Sequence, residues 1–383
     1  MRVLIVVTHL LGTGHLSRAL TLGRAFAHAG HDVTVASGGM PAPQLDHRGV
    51  ALLQLPPLRS DGTNFTRLLD DTGQEASPDI LADRRYALVG ALDSAPDIVI
   101  TELFPFGRRI LADEFLALLE GAHALPRRPV VLASIRDILA PPSKPSKAMR
   151  ADEIIARFYD AVLVHSDPRG TPLEQSWPVS DALRPKLRYT GYVAPARPDP
   201  HPEQAGQGEV LVSAGGGAVG TSLFETAIGA ARLMPARRWR LLVGGSDAHG
   251  RIKALTARGL PDNVIAEPAR PDFRQMLNHA AASVSMCGYN TALDLLQAAT
   301  PAVLVPFDAG QEVEQGLRAQ SLGALNGMKV LRDADLTPAS LCAAVEQVMA
   351  APPRAETLLG FDGAAQTVAL AAEMAKHRAK AHT

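Results

Sequence analysis

Cysteine is nearly absent: Cys287 and Cys342 stand far apart in 383 residues. That excludes a disulfide scaffold and points to a reducing compartment. The twelve histidines form no close Cys/His cluster of zinc spacing, so no metal site is expected. Aromatic residues make up only 4% of the chain, against 46% hydrophobic residues in all. The cores must therefore be built from Ala, Leu and Val. No charge of one sign dominates, since the formal net charge is −1. A strong basic excess, which non-specific nucleic-acid binding needs, is missing. No run of about 18 apolar residues occurs, so no transmembrane helix is expected. The N-terminal apolar run is interrupted by Thr8-His9 and Gly12-Thr13-Gly14-His15, and reads as a strand and loop rather than a signal peptide. There is no P-loop and no repeat. The length suits two domains.

What is present concentrates at residues 283–318, SVSMCGYNTALDLLQAATPAVLVPFDAGQEVEQGLR. Ala282 to Met286 reads as a buried strand, Gly288-Tyr289-Asn290 as a turn, and Thr291 to Ala299 as a helix. Pro301 stops it, Ala302 to Val305 is a second strand, and Glu312 to Leu322 a second helix. Such βαβα units imply a parallel sheet. A helix starting after Gly288 offers unpaired N–H groups and a positive dipole end to a phosphate. Asp294, one turn in, can accept two sugar hydroxyls, and Glu314 and Gln315 open the next helix toward the same ligand. The same residues also permit a plainer reading, in which Thr291-x-x-Asp294 is a capping box that only starts a helix.

A second Gly-rich turn, Ser213-Ala214-Gly215-Gly216-Gly217, lies between strand Glu209–Val212 and helix Ser222–Leu233 and reads as an anion cradle. A third follows the first strand, Arg2–Val7: Gly12-Thr13-Gly14-His15-Leu16-Ser17-Arg18. It is not a dinucleotide fingerprint, because Ser17 holds the third glycine position. Gly12 and Gly14 let a ligand approach the backbone. His15 sits on the first turn of a helix running to Ala29, where it suits general-base work or makes an ordinary hydrogen bond. Glu102 ends a strand from Pro96 and is a second candidate base, the group orienting His15, or a surface partner of Arg108 or Arg109. Residues 41–86 read as loops with one or two helices. Pro141 to Arg150 (PPSKPSKAMR) reads as a flexible basic loop. Asp333-Ala334-Asp335 reads as a surface turn rather than a metal motif.

The 283–318 segment resembles the donor-binding segment of GT-B glycosyltransferases, especially the MurG-like family that uses UDP-N-acetylglucosamine. The resemblance rests on Gly288, Asp294, Thr300-Pro301-Ala302-Val303, Pro306-Phe307 and Gln315. Asp294 stands where the family usually has Glu, Cys287 where it often has Ser, and a glycine replaces the Ser of the family's Gly-Gly-Ser loop. The G-x-G-H-x-x-R run also resembles a loop of a GT-B-shaped UDP-sugar hydrolase.

The resemblance implies an α/β GT-B fold: two facing Rossmann-like domains with parallel sheets and a cleft between them. The expected domains are 1–193, a linker at 194–207, a donor domain at 208–360, and a helix at 361–383 that returns to the first domain. It implies an inverting, metal-independent, cytoplasmic glycosyltransferase with no cofactor. A hexose or N-acetylhexosamine passes from a nucleotide sugar, expected to be UDP-linked, to a hydroxyl acceptor, with peripheral membrane contact open. His15 and Glu102 are the catalytic pair. Donor contacts fall to Gly12, Gly14, Ser213, Gly215, Gly216, Gly217, Cys287, Gly288, Tyr289, Asn290, Thr291, Asp294, Glu314 and Gln315. Arg169 is matched to the donor phosphate and the backbone near Arg270 to the base. The rival readings are the hydrolase, with His15 activating water, an epimerase of the same shape, and a non-catalytic nucleotide-sugar-binding protein.

Overall fold

The computed structural model describes residues 1–61, 64–215, 220–245, 247–257, 259–307, 313–354 and 360–381. Two compact units emerge: Met1–Pro195 with Leu359–Thr383, and Ala196–Leu358. In chain order the first runs β1 (Arg2–Val7), α1 (Gly14–His28), β2 (Asp32–Gly39), β3 (Ala51–Asp61), β4 (Asn64–Leu69), α2 (Pro78–Gly90), β5 (Ile98–Glu102), α3 (Ala112–Ala124), β6 (Val130–Arg136), α4 (Pro145–Phe158), β7 (Ala161–His165) and β8 (Leu187–Tyr189). The second contains β9 (Val210–Ser213), α5 (Thr221–Leu233), β10 (Trp239–Val243), α6 (Ala248–Thr256), β11 (Val264–Pro268), α7 (Phe273–Leu277), β12 (Ala282–Ser285), α8 (Tyr289–Ala298), β13 (Ala302–Leu304), α9 (Glu314–Leu322), β14 (Met328–Val330) and α10 (Pro338–Ala350). Helix α11 (Gly363–Ala381) belongs to the first unit.

Continuous apolar strands need cover on both faces, and both sheets have it. Val3, Ile5 and Val7 pack with Leu16, Leu20 and Phe26 of α1 and with Ala371 and Ala375 of α11. Leu4 and Val6 face the other way, toward Phe115 and Leu118 of α3. The strand orders are β4-β3-β2-β1-β5-β6-β7-β8 and β11-β10-β9-β12-β13-β14. Pairing is parallel except between β3 and β4. In the first sheet the chain winds outward in both directions from β1 and β5, and in the second from β9 and β12. At such a switch point the loops leave in opposite directions, and ligands bind at the carboxyl ends of the two strands. All three Gly-rich turns follow a switch-point strand: β1, β9 and β12.

Four sequence expectations need correction. Residues 41–86 hold β3, β4 and α2. Pro56-Pro57 disguises β3, because proline cannot donate to a ladder. The two prolines fall where the β2–β3 register shifts, between Gln54↔Ser37 and Leu58↔Gly39. The Gln54 side chain donates there instead, to the carbonyls of Ser37 at 3.0 Å and Gly39 at 2.9 Å. The basic stretch 141–150 is only partly loop, since Pro145 opens α4 at a position where its missing N–H costs nothing. Helix α8 starts at Tyr289 with Gly288 as N-cap, so Thr291 lies inside the first turn and the capping-box reading fails. Helix α9 starts at Glu314, and Glu312 lies outside the described residues.

Candidate active site

Three neighbouring strands of the first sheet end in polar side chains on one face. Ile98 and Ile100, Val130 and Leu132, and Ala161 and Leu163 are apolar and lie on the face covered by α1 and α11. At their carboxyl ends come Glu102, Ser134 and His165. Glu102 pairs with Ser134 in register, and His165 pairs with Arg136, two residues past Ser134. The first turn of α1 drops His15 and Arg18 onto this row. Gly12 has φ +65°, a region side chains rarely adopt, while Gly14 opens the helix into free space.

Glu102 is 2% exposed. Its Oε1 accepts from His15 Nδ1 at 2.9 Å and from Arg18 Nη2, and its Oε2 accepts from Ser134 Oγ at 2.6 Å. The surface pairing with Arg108 or Arg109 weighed from sequence is not formed. Arg108 Nε donates to the Thr8 carbonyl at 2.5 Å and Arg109 to Phe106 at 2.6 Å. Burial pushes the Glu102 carboxyl up, but Arg18, His15 and Ser134 together hold it well below the usual carboxylate range. Arg18 Nη2 also lies 3.2 Å from His15 Nδ1, but the ionised Glu102 oxygen is nearer at 2.9 Å and only accepts, so Nδ1 carries a proton and Nε2 keeps its lone pair. Burial, helped by Arg108 and Arg136, lowers His15 to about 3 against the opposing pull of Glu102. The imidazole is neutral at pH 7. Its side chain is 13% exposed, and Nε2 has no partner among the described residues.

In the second unit three turns leave adjacent strands at one level. Ser213 pairs in register with Ser285, and Ser285 with Leu304. Gly215, Gly288 and Phe307 follow these by two or three residues. Gly215 has φ +77°, and its N–H donates to Ser213 Oγ at 3.1 Å. Gly216 and Gly217 lie outside the described residues. Gly220, which sequence reading passed over, has φ +89° and caps α5, and a Cβ there would lie 2.4 Å from that of Ala214. Among the described residues neither α5 nor α8 has a side-chain cap, which leaves first-turn N–H groups for a ligand. Tyr289 is buried and Asn290 exposed at the start of α8. Gln315 reaches back from α9 to accept the Phe307 N–H at 3.2 Å, beside Glu314.

Two cations here were missed. Buried Arg318 donates to the Cys287 carbonyl at 3.0 Å, with its guanidinium 5.7 Å from the Tyr289 ring. It puts positive charge beneath the turn before α8. Arg274, on α7, donates to Asp294 Oδ1 at 2.7 Å, to Gln297 at 2.7 Å and to the Ala196 carbonyl at 3.0 Å. Asp294 is thus engaged by an arginine on another helix. Burial nevertheless pushes its carboxyl up to about 6, against the pull of Arg274. No local pattern marks either arginine, because each contact joins distant segments. Arg169, in the first unit, folds onto Asp167 through its own Nε at 2.8 Å. The Arg270 side chain is taken by Asp272, at 2.8 Å through Nε. The neighbouring Ala269 N–H is spent on the Val243 carbonyl at 2.9 Å. Asp333 and Asp335 form a short turn where Asp333 accepts from Ser222 at 3.3 Å. Among the described residues no three His, Cys, Asp or Glu side chains gather as a metal site.

Residues 216–367 match the glycosyltransferase family 28 C-terminal domain. The whole chain superposes on the crystal structure of MurG from Acinetobacter baumannii with a TM-score of 0.61, covering 99% of both chains at 15% identity. The chain has the GT-B fold and carries a glycosyltransferase family 28 C-terminal domain. Two relatives bear the name UDP-N-acetylglucosamine--N-acetylmuramyl-(pentapeptide) pyrophosphoryl-undecaprenol N-acetylglucosamine transferase. The Brucella anthropi protein is 32% identical over 147 residues, which span 37% of this chain and 39% of that protein's length. The Mycolicibacterium paratuberculosis protein is 28% identical over 298 residues, 75% of this chain and 67% of that one. Gly288, Asp294, Gln315, Arg274 and Arg318 all fall inside the family 28 match, whereas the His15–Glu102 cluster lies in the other half of the GT-B fold. Among the described residues no helix is long and apolar enough to cross a membrane.

Proposed function

We propose that the protein is a glycosyltransferase that moves a hexose or N-acetylhexosamine from a UDP-linked sugar to a hydroxyl acceptor. Reaction is by direct displacement, with inversion and without a metal. The observation that carries this reading is His15, neutral, fixed through Nδ1 by ionised Glu102, with Nε2 unbonded among the described residues. Such a nitrogen accepts a hydroxyl proton while the carboxylate steadies the imidazolium that forms. In the second unit, the α8 N-terminus and Arg318 supply positive charge for a departing diphosphate, a preorganised electrostatic effect worth several kcal/mol. The names of the Brucella and Mycolicibacterium relatives support the UDP-sugar class and raise a lipid-linked acceptor, which would bring the protein to a membrane surface. Retention of configuration, or loss of turnover in EDTA, defeats the corresponding part.

A panel of UDP, GDP, dTDP, CMP and ADP in a thermal-shift assay tests the donor site. A ligand at 100 times its Kd stabilises by about 2.7 kcal/mol. UDP is expected to raise Tm and Asp294→Ala to abolish the rise. A response to dTDP alone reassigns the base, and no response to any of them removes the donor site.

Affinity should also depend on pH. Asp294 accepts two hydroxyls only as a carboxylate, and its carboxyl sits at about 6 in the free protein. Protons therefore compete with the donor below that pH, and binding at pH 5 is expected to be about tenfold weaker than at pH 7.5. Asp294→Asn should bind weakly and flatten the dependence. A wild-type affinity constant across this range removes Asp294 from the site.

The hydrolase reading keeps one argument, the G-x-G-H-x-x-R run. Arg18, which completes it, is buried against Glu102 rather than turned outward. Release of free sugar from UDP-sugar without acceptor separates the two.

A further inference from the structure

Glu102 is not the end of the polar row. Ser134 Oγ lies 2.6 Å from Glu102 Oε2 and 3.0 Å from His165 Nε2. His165 Nδ1 lies 2.8 Å from Thr190 Oγ1, just beyond β8. Ser134 and His165 are fully buried and Thr190 is 4% exposed. A hydrophobic side chain would cover this sheet equally well, as Ile100, Leu132 and Leu163 do one step below. Burying a hydroxyl and an imidazole instead is favourable only when each is fully bonded.

The donors can be assigned by counting protons. Ionised Glu102 cannot donate, so the single Ser134 proton goes to Oε2. Ser134 then accepts, which requires the proton of His165 on Nε2. With Nε2 protonated in a neutral ring, Nδ1 must accept, and Thr190 at 2.8 Å supplies the proton in preference to the Gly191 carbonyl at 3.1 Å and the Val164 carbonyl at 3.5 Å. Every bond points the same way, from Thr190 through His165 and Ser134 to Glu102. At its other oxygen Glu102 receives His15 Nδ1–H. Reversing any one member would leave two donors or two acceptors facing each other.

We infer that Ser134 and His165 are positioning residues for the His15 base, acting through Glu102 to lock its carboxylate and so to fix His15 in the Nδ1–H form. The inference rests on reading His15 as the base, and it adds a functional reason for two buried polar groups that touch no substrate. Without the Ser134 proton, Oε2 loses its anchor and the carboxylate can turn toward Arg18. His15 then divides between its two neutral forms, and the form with its proton on Nε2 cannot accept one there.

Histidine-selective nitrogen–proton correlation spectra of the full-length protein read these tautomers without substrate. Signals of His15 and His165 are identified by their loss in H15A and H165Q. The expected wild-type result is Nδ1–H for His15 and Nε2–H for His165, with S134A mixing the two forms of His15. In parallel, S134A and H165L should lower kcat about ten- to a hundredfold with donor KM within twofold, since S134A loses the hydrogen bond to charged Glu102 and H165L removes the donor that aims the Ser134 hydroxyl at it. H165Q retains an N–H donor toward Ser134 and should recover most of the kcat lost in H165L. If H165L does not fold, S134A carries the test, being smaller and introducing no clash. An Nδ1–H form for His165 in the wild type overturns the relay, as does S134A with unchanged His15 tautomer and unchanged kcat. If the wild type transfers no sugar, the proposed function fails, while the spectra still decide the relay.

Discussion

An H15A variant is expected to lose about two to four orders of magnitude in kcat for sugar transfer, the usual contribution of a positioned general base. Donor binding should survive, because Asp294, Arg318 and the α8 N-terminus, which carry the ribose and diphosphate in this reading, lie in the other unit. The nucleotide-induced rise in Tm is therefore the control: it should match the wild type while turnover collapses. Glu102→Gln should approach the same loss by a different route. A neutral amide can present either its oxygen or its NH2 to His15, so the ring is no longer held with its proton on Nδ1. The same change leaves buried Arg18 facing an uncharged partner, so Tm should fall in E102Q but not in H15A. Turnover has to be compared well below both midpoints. Because His15 sits near 3, the H15A defect should be the same at pH 6 and pH 8, since wild-type His15 is neutral at both. If H15A retains more than a tenth of wild-type kcat, His15 is not the base, and a binding role for the cluster becomes the better account.

The sequence carried the fold because parallel strands are apolar throughout and stand out as runs: Val3 to Val7, Ile98 to Ile100 and Val130 to Ala133 are continuous. It also put His15 on a first helical turn and Glu102 at a strand end. That these two meet at 2.9 Å depends on β1 lying beside β5, and strand order is not written in local pattern. The same limit hid Arg274, Arg318, Ser134 and His165, each of which acts through a partner at least 20 residues away. The errors in local structure have a common cause. Both stretches read as loop, 41–86 and 141–150, hold prolines inside regular structure, at 56–57 and at 145. One pair sits in a register break, and the other residue opens a helix. Position relative to the element decided its meaning, and only the structure supplies that position.

The break in the β2–β3 ladder leads to the largest expected stability effect. Where Pro56 and Pro57 interrupt pairing, the carbonyls of Gly38 and Pro56 take a side-chain donor. Arg84, entirely buried on α2, serves both, reaching Gly38 at 2.8 Å through Nη1. Its other edge makes two bonds to Glu114 on α3, at 2.9 Å and 2.7 Å, and Nη2 lies 3.3 Å from Thr8 Oγ1. One guanidinium thus ties together the ends of β1 and β2, the interrupted strand β3, and helices α2 and α3. Gly38 is required for this, since a Cβ there would stand 2.5 Å from Arg84 Nη2 and 2.4 Å from Thr8 Oγ1. Arg84→Met should cost about 3–5 kcal/mol, because Glu114 stays buried at 4% exposure with its charge unpaired. For a unit of this size that corresponds to a fall of roughly 10 °C in Tm. The double variant R84M/E114L removes the stranded charge and should recover much of the loss. The Gly38 and Pro56 carbonyls remain unserved in it, so recovery should stop short of the wild type. Full recovery would assign the whole effect to the ion pair and none to the ladder break. A loss below about 1 kcal/mol for R84M alone would mean that water or a neighbouring donor replaces the guanidinium, and that β3 is held in register by Gln54 without it.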